Sequence, residues 1–278
     1  MSGKNMSFIN GVESDNISIM DRGLHYGDGV FETIVFDGKY LLLDYHLQRL
    51  VSGCSCLQIP IVNKIQLRNE LEDYSKCNNL TKAIVKLIVT RGDGQRGYLP
   101  QEKSEPTRII THSGISDKVF VDRVQGVFIG FSENNISENI FKKGIKSLNR
   151  LEQIVLSMEA VTKGFDELLV ANAGGDIIEG IKTNLFIIKN DMVYTPQTGR
   201  YGIDGVFRRL VCEICVNNSI PIKIATISKK FVLTADEIFL TNSIVGILPV
   251  CRIQDIELKC RNITDKISRM VEDKIIKN

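Results

Sequence analysis

No apolar run in the sequence approaches the roughly 18 residues a membrane-spanning helix needs, and the opening stretch, "MSGKNMSFINGVESD", has no basic segment followed by an apolar core. A cytoplasmic chain is therefore expected. An excess of charge of either sign is also missing: 35 Lys and Arg stand against 33 Asp and Glu, a formal +2. Nothing in that balance calls for nucleic acid or an anionic membrane as partner, although a local field can still suit a small charged substrate. The seven cysteines are odd in number and scattered, which fits reduced thiols better than a disulfide framework. "CEIC" at 212–215 has CxxC spacing, but no second pair or histidine cluster completes a zinc site. It reads as two small core residues one turn apart, and no metal is expected. Internal repeats and low-complexity linkers are absent too, so two closely packed halves are expected.

At 278 residues the chain can bury a sizeable core, and its length favours two domains over one. Residues 1–117 read as a small α+β domain. "SFING" and "NISIMD" are strands around a short turn, and "FETIVFDGKYLLLD" is a hairpin through Asp37-Gly38. From Asp44, a candidate N-cap, Leu47, Leu50, Val51, Cys54 and Leu57 recur at helical spacing. A second helix follows at 63–76, and the strands "KAIVKLIVTRG" and "TRIITH" bracket the loop "RGDGQRGYLPQEKSEP". Residues 118–278 read as a larger domain. It opens with the strand "GVFIGFS" and the polar segment "ENNISENIFKKG", and continues in a helix carrying Leu151, Ile154, Val155 and Met158 that ends at Gly164. Strands follow at "ELLVAN", "GDIIEG" and "NLFIIKNDMVYTP", with turns at Gly174-Gly175 and Asn190-Asp191. A helix after "GIDG", another near 228–235, a strand at "EIFLTNS" and a helical tail from Thr264 complete it.

Lys146, in "GIKSLNRLEQ", lies between Ile145 and Leu148 at the entry to a helix. Only a neutral amine attacks a carbonyl, and partial burial or a nearby positive charge favours the neutral form. A solvated surface lysine is the ordinary alternative. Lysine is also the obligate anchor of pyridoxal 5′-phosphate, which further needs a carboxylate for its pyridine nitrogen and a cradle for its phosphate. Glu179 closes a strand with Gly180 behind it, leaving space for a flat ring; a solvated acid at a strand end is the plain alternative. Three places can receive an anion: Arg49 in "DYHLQRL", the helix start at "GIDGVFRR" with its free N–H groups, and the hydroxyl and amide donors of "LTNS". A surface arginine, a plain helix start and a turn are their respective ordinary alternatives.

Together these stretches resemble a known family. "DRGLHYGDGVFETI", "HLQRL", "TRGDGQRGY", "GIKSLNRLEQ", "IIEGIKTNLF" and "LTNSIVGILPV" occur in the order, and near the spacing, found in the fold-type IV pyridoxal-phosphate enzymes. These are the branched-chain and D-amino-acid aminotransferases and 4-amino-4-deoxychorismate lyase. The resemblance covers essentially the whole chain. It implies an α+β fold with a small N-terminal domain and a larger C-terminal pseudo-barrel domain, pyridoxal 5′-phosphate as cofactor, and a homodimer. It also implies Lys146 as cofactor anchor and proton shuttle, Glu179 at the pyridine nitrogen, and Arg49, the backbone of Val206 and Phe207, and Ser243 at the phosphate.

Within the family, "RGDGQRGY" and "KSLNRLEQ" look most like the lyase branch. Where D-amino-acid aminotransferases carry an Arg and a His for the substrate carboxylate, this chain has Arg96 and Tyr98. The resemblance thus implies conversion of 4-amino-4-deoxychorismate to p-aminobenzoate and pyruvate. Amino transfer on the same fold is one alternative, and a non-catalytic binding protein on it is another. His25 of "HYGDG" reads as a packed histidine.

Overall fold

The structure, a computed structural model, describes residues 6–60, 63–141 and 144–277. The first five residues of the opening stretch and the second and third residues of "FKKG" lie outside the described residues. The chain divides into two units, Met1–Ile115 with Ile145–Asn149, and Ser116–Gly144 with Arg150–Asn278. The expected division at residue 117 is therefore corrected in one respect: the five residues around Lys146 belong to the first unit.

In the first unit β1 (Phe8–Ile9) and β2 (Val12–Glu13) pair across Asn10 and Gly11, both at positive φ (53° and 82°). Asn-Gly supplies this turn because both residues tolerate the left-handed region. "NISIMD" forms no strand; Ile19 stays 75% exposed, so no burial rewards an extended pairing there. Next come α1 (Arg22–Tyr26), β3 (Gly29–Asp37), α2 (Leu43–Cys56), α3 (Lys64–Cys77), β4 (Lys82–Thr90) and β5 (Arg108–Ser113). The strands form one antiparallel sheet in the order β2-β1-β5-β4-β3. Alternation along β3 and β4 sends Val30, Ile34, Val85, Leu87 and Val89 to the face covered by Leu47 and Leu50 of α2 and Leu67, Leu71 and Tyr74 of α3. Asp44 is not the N-cap of α2. The helix starts at Leu43 behind Leu42 at φ 53°, and Asp44 sits in the first turn, paired with Arg68 at 2.6 Å.

The hairpin expected at Asp37-Gly38 is only a stub: one bridge, Phe36 to Tyr40, precedes α2. The strand that pairs with β3 along its full length is β4 instead, from Gly29↔Thr90 to Asp37↔Lys82. On the opposite edge of β3, Leu41 N donates to Val35 O (2.9 Å) at one end. At the other end Phe31 N donates to Lys146 O (3.0 Å) and Leu148 N donates to Gly29 O (2.9 Å). Residues 146–148 thus continue the sheet as an extended segment, rather than serving as the first turn of a helix. Two glycines of "HYGDG" permit this approach: a Cβ on Gly29 would lie 2.8 Å from Leu148 Cδ1, and one on Gly27 would lie 2.6 Å from Asn149 Oδ1. His25 is exposed rather than packed, its Nε2 2.7 Å from Ile19 O.

The second unit opens with α4 (Asp117–Gln125), which the sequence reading does not anticipate; it is capped by Ser116 and buries no residue, and its apolar side chains Phe120, Val121 and Val124 stay exposed. It continues through β6 (Val127–Phe131), α5 (Leu151–Lys163), β7 (Glu167–Ala171), β8 (Asp176–Gly180), β9 (Asn184–Lys189), β10 (Met192–Pro196), α6 (Val206–Asn217), β11 (Ile222–Ala225), β12 (Ile227–Ser228), α7 (Lys229–Val232), β13 (Glu237–Asn242), β14 (Gly246–Ile253), β15 (Ile256–Glu257) and α8 (Asn262–Lys277). Its strands form one sheet in the order β11-β10-β9-β13-β14-β6-β7-β8-β12, with β15 beside β14. Leu185, Ile187, Ile238, Leu240, Leu248 and Val250 are central to its core. The helix near 228–235 is a single turn, α7. Gly164 closes α5 in the left-handed region as expected (φ 70°), but the apolar residues that marked this helix face outward, with Leu151 72% and Met158 65% exposed. Leu156 and Ala160, one turn apart, are the buried pair instead. Among the described residues no helix is long and apolar enough to cross a membrane.

Gly29→Ala sets a Cβ 2.6 Å from Val89 O, main chain on one side, with Leu148 on the other. Urea denaturation should register a loss of roughly 1–3 kcal/mol, and the Leu148 amide should exchange faster with solvent. An unaltered midpoint would contradict this account of the contact.

Candidate active site

In the first unit the candidate residues gather around a charge placed in the inward phase of a strand. Glu32 follows Val30 and precedes Ile34 on the buried face of β3 and is 1% exposed. Arg49 of α2 donates to it through two nitrogens, Nε to Oε1 at 2.7 Å and Nη2 to Oε2 at 2.6 Å. His46, one turn earlier on the same helix face, meets Oε2 through Nδ1 at 2.6 Å. Burial works to raise the Glu32 pKa, but the Arg49 and His46 contacts outweigh it and hold the carboxyl at about 2. Burial lowers the His46 pKa, and Arg49 and Lys146 add to that against the pull of Glu32. His46 is accordingly a neutral imidazole that donates from Nδ1, and Glu32, held between His46 and Arg49, orients the Arg49 fork through both of its oxygens. Lys146 is half-buried, with its Nζ 4.4 Å from the centre of the Phe31 ring; Lys86 Nζ lies 5.1 Å from the same ring.

Arg96 and Tyr98 lie in the connection from β4 to β5. Both side chains are exposed, Tyr98 by 86%. The backbone beneath them is tied down: the Gly97 and Tyr98 carbonyls accept from the buried guanidinium of Arg22 (2.9 and 2.7 Å).

The second unit holds the remaining candidates, linked through one amide. Glu179 of β8 is 5% exposed, and its Oε2 accepts from Ile203 N (2.9 Å) and Asn184 Nδ2 (3.2 Å). Asn184 also donates to Ile203 O (2.8 Å), which fixes the approach to α6. Arg150, half-buried, interacts electrostatically with Glu179 and Glu152, though burial dominates and lowers its pKa. The glycine behind the carboxylate is not the expected one. A Cβ on Gly180 would strike Thr183 Oγ1 at 2.2 Å, so that glycine makes room for packing; the bare backbone against Glu179 is Gly202, whose Cβ would lie 2.8 Å from Oε2. Val206 and Phe207 begin α6, and its N-cap, Gly205, offers the first turn no side-chain acceptor. Across the sheet Asn184 pairs with Thr241, two residues before Ser243. Asn242 Oδ1 accepts from Ile244 N and Val245 N (both 2.9 Å) and so shapes the half-buried Ser243 turn. Thr241 Oγ1 is buried with no hydrogen-bond partner among the described residues.

The structure thus brings Lys146 and Arg49 into one unit with Glu32, and Glu179, Val206, Phe207 and Ser243 into the other around Asn184. The sequence reading gave no role to Glu32, His46, Arg22, Asn184 or Arg150. A usable signal existed for the first two: a carboxylate in the apolar phase of "VFETIVF" and a His-x-x-Arg spacing on a helix. The cysteines are all free, and burial pushes the Cys215 thiol of "CEIC" up to about 12. Among the described residues no group of His, Cys, Asp and Glu is arranged to hold a metal ion.

Residues 29–253 match the model of the amino-transferase class IV family. A protein from Methanocaldococcus jannaschii, whose name proposes a branched-chain-amino-acid aminotransferase, is 30% identical over 85% of this chain and 82% of its own. Aminodeoxychorismate lyase from Vibrio harveyi is 29% identical over 96% of this chain and 98% of its own. Among solved structures, 4-amino-4-deoxychorismate lyase from Pseudomonas aeruginosa is 34% identical, with a TM-score of 0.90 over 97% of this chain and 99% of that one.

Because the Glu32 carboxyl is held at about 2 against an ordinary 4.5, its contribution to stability is complete above 4.5 and is lost as pH falls toward 2. Urea midpoints measured over that range should fall less steeply for Glu32→Gln than for the unmodified chain; parallel acid limbs would refute the assignment.

Proposed function

We propose a function from one premise: the chain belongs to the class IV amino-transferase family, whose cofactor is pyridoxal 5′-phosphate. On that premise the protein is a lyase that converts 4-amino-4-deoxychorismate to p-aminobenzoate and pyruvate. The observation that carries the choice of reaction is the likeness to two lyases over nearly the whole chain.

The donor sets fit the cofactor. The first unit offers an amine, Lys146, and a guanidinium, Arg49, oriented by a buried carboxylate. The second offers the Glu179 carboxylate beside bare backbone, an uncapped helix start at Val206 and Phe207, and a buried Thr241 hydroxyl near Ser243. In this reading Arg49, the Val206 and Phe207 N–H groups and Ser243 hold the phosphate, and Glu179 keeps a proton on the pyridine nitrogen. When bound, pyridoxal phosphate supplies an aldehyde carbon for covalent attachment and a ring that takes up electrons from the carbon bearing the substrate amine. Lys146 Nζ would hold the cofactor covalently, and as a free amine it would be the base that accepts the proton from the substrate carbon bearing the amine. Arg96 meets a substrate carboxylate, and Tyr98 adds a hydroxyl beside it. Expulsion of the enolpyruvyl group leaves an aromatic ring, which supplies the driving force. One proton leaves the ring carbon and one is gained by the three-carbon fragment, so the products balance as p-aminobenzoate and pyruvate.

Amino transfer is the second reading, favoured by the name of the archaeal relative. It uses the same lysine but needs a keto-acid acceptor. Incubation with chorismate, an aminodeoxychorismate synthase and an amine donor should yield p-aminobenzoate; its absence, with transfer from D-alanine to 2-oxoglutarate present, reverses the choice. Lys146→Ala should lose the visible cofactor band and at least about a thousandfold in turnover. The reading includes a homodimer, for which sedimentation should give twice the 31.2 kDa chain mass. The outward apolar side chains of α5 are surface that such an assembly would cover.

A further inference from the structure

The loop that carries Arg96 buries few of its own side chains: Tyr98 and Leu99 are 86% and 90% exposed. An exposed segment of this kind is ordinarily among the least stable parts of a fold. Here its main chain is gripped from below by a side chain that the proposed chemistry does not use. Arg22 is 4% exposed, and every nitrogen of its guanidinium is engaged. Nη1 donates to Gly97 O (2.9 Å), Nη2 to Tyr98 O (2.7 Å) and Nε to Asp28 Oδ2 (2.9 Å). A planar fork held at three corners has one orientation.

The grip has its own support. Asp28 also accepts from Arg91 Nε and Nη2 (2.7 and 3.1 Å), so its carboxylate is shared between two arginines. Burial tends to raise the Asp28 pKa, and the two guanidinium groups outweigh it and lower it. Tyr26, one turn along α1 from Arg22, has its ring 4.8 Å from Arg22 Cζ and 5.5 Å from the Tyr98 ring, and its hydroxyl accepts from Gly97 N (3.3 Å). Gly94 completes the fit, since a Cβ there would lie 2.6 Å from Arg22 Cδ. Loop and arginine are shaped to each other, with the two gripped carbonyls directly following Arg96 in sequence.

We propose that Arg22 is the positioning residue of the substrate loop: its clamp on the Gly97 and Tyr98 carbonyls fixes the base from which Arg96 reaches a substrate carboxylate. This inference rests on the proposed role of Arg96. Without the clamp the same side chains are present, but the loop must order on binding, a cost that appears in KM and not in the chemical step.

The test uses the holoenzyme with Arg22→Gln, Arg22→Lys and Arg96→Gln variants. Removing Arg22 leaves Asp28 paired with Arg91, so no buried charge is stranded, and the lysine variant keeps a cation on one donor nitrogen should the glutamine variant misfold. Two quantities are read: the rate of limited tryptic cleavage after Arg96, mapped by mass spectrometry, and the steady-state constants for 4-amino-4-deoxychorismate. Arg22→Gln should raise both the cleavage rate and KM by about tenfold, with kcat within about threefold and the visible cofactor band unchanged. Arg22→Lys should fall between it and the unmodified chain. Unchanged cleavage in both Arg22 variants overturns the clamp, and faster cleavage with an unaltered KM overturns the positioning role. Arg96→Gln reports on the underlying reading: a raised KM there with no effect in Arg22→Gln sinks the inference alone, whereas an unaltered KM in Arg96→Gln removes the substrate role from the loop and the positioning role with it.

Discussion

Two main-chain hydrogen bonds, Phe31 N to Lys146 O and Leu148 N to Gly29 O, fix the place of the candidate lysine within the first unit. They attach a five-residue segment to a sheet whose other strands all precede Ile115, and they place the half-buried Lys146 beside Phe31. A strand edge accepts such a partner only where its own backbone groups remain available and nothing blocks the approach. On β3 the inner edge is taken by β4. The outer edge is shared by the Tyr40–Leu41 return and the lysine segment, and Gly27 and Gly29 leave room for Asn149 and Leu148.

Around that attachment the fold repeats one electrostatic device. A buried or partly buried carboxylate stands between two cationic or imidazole side chains and orients an arginine: Glu32 between Arg49 and His46, Asp28 between Arg22 and Arg91. In each case the geometry fixes more than the charge. Glu32 aims the fork of Arg49, and Asp28 aims one that holds a loop. Such contacts serve here because a planar guanidinium with two or three engaged corners cannot rotate. The second unit reaches a similar end with neutral groups: the Asn184 amide joins Glu179 to the backbone that leads into α6, and the carboxylate is held by N–H donors.

The elements that follow regular patterns were legible from the sequence. The alternation of "KAIVKLIVT", the helical spacing of Leu47, Leu50 and Cys54, and the closing role of Gly164 all correspond to observed structure, because each depends on one local periodicity or one backbone conformation. The failures were places where a partner distant in sequence decides. "NISIMD" has strand composition but finds no strand to pair with; the Asp37-Gly38 hairpin stops after one bridge, where the chain enters α2 and the lysine segment takes the rest of the outer edge of β3; and the apolar side chains of α4 stay exposed. The outward stripe of α5 carries the same lesson: helical spacing marks an apolar face without saying what covers it.

The sequence by itself determined the family, through six ordered motifs, and with it the candidate amine, carboxylate and anion-binding residues. Only the tertiary structure decided that Lys146 belongs to the first unit, that Glu32 and His46 orient Arg49, that Gly202 rather than Gly180 lies against Glu179, and that Arg22 grips the loop bearing Arg96. The reason is physical. Motif order and periodicity are properties of neighbours along the chain, whereas the direction of a guanidinium and the edge a strand leaves open are set by groups tens of residues away, and those become neighbours only when the chain folds.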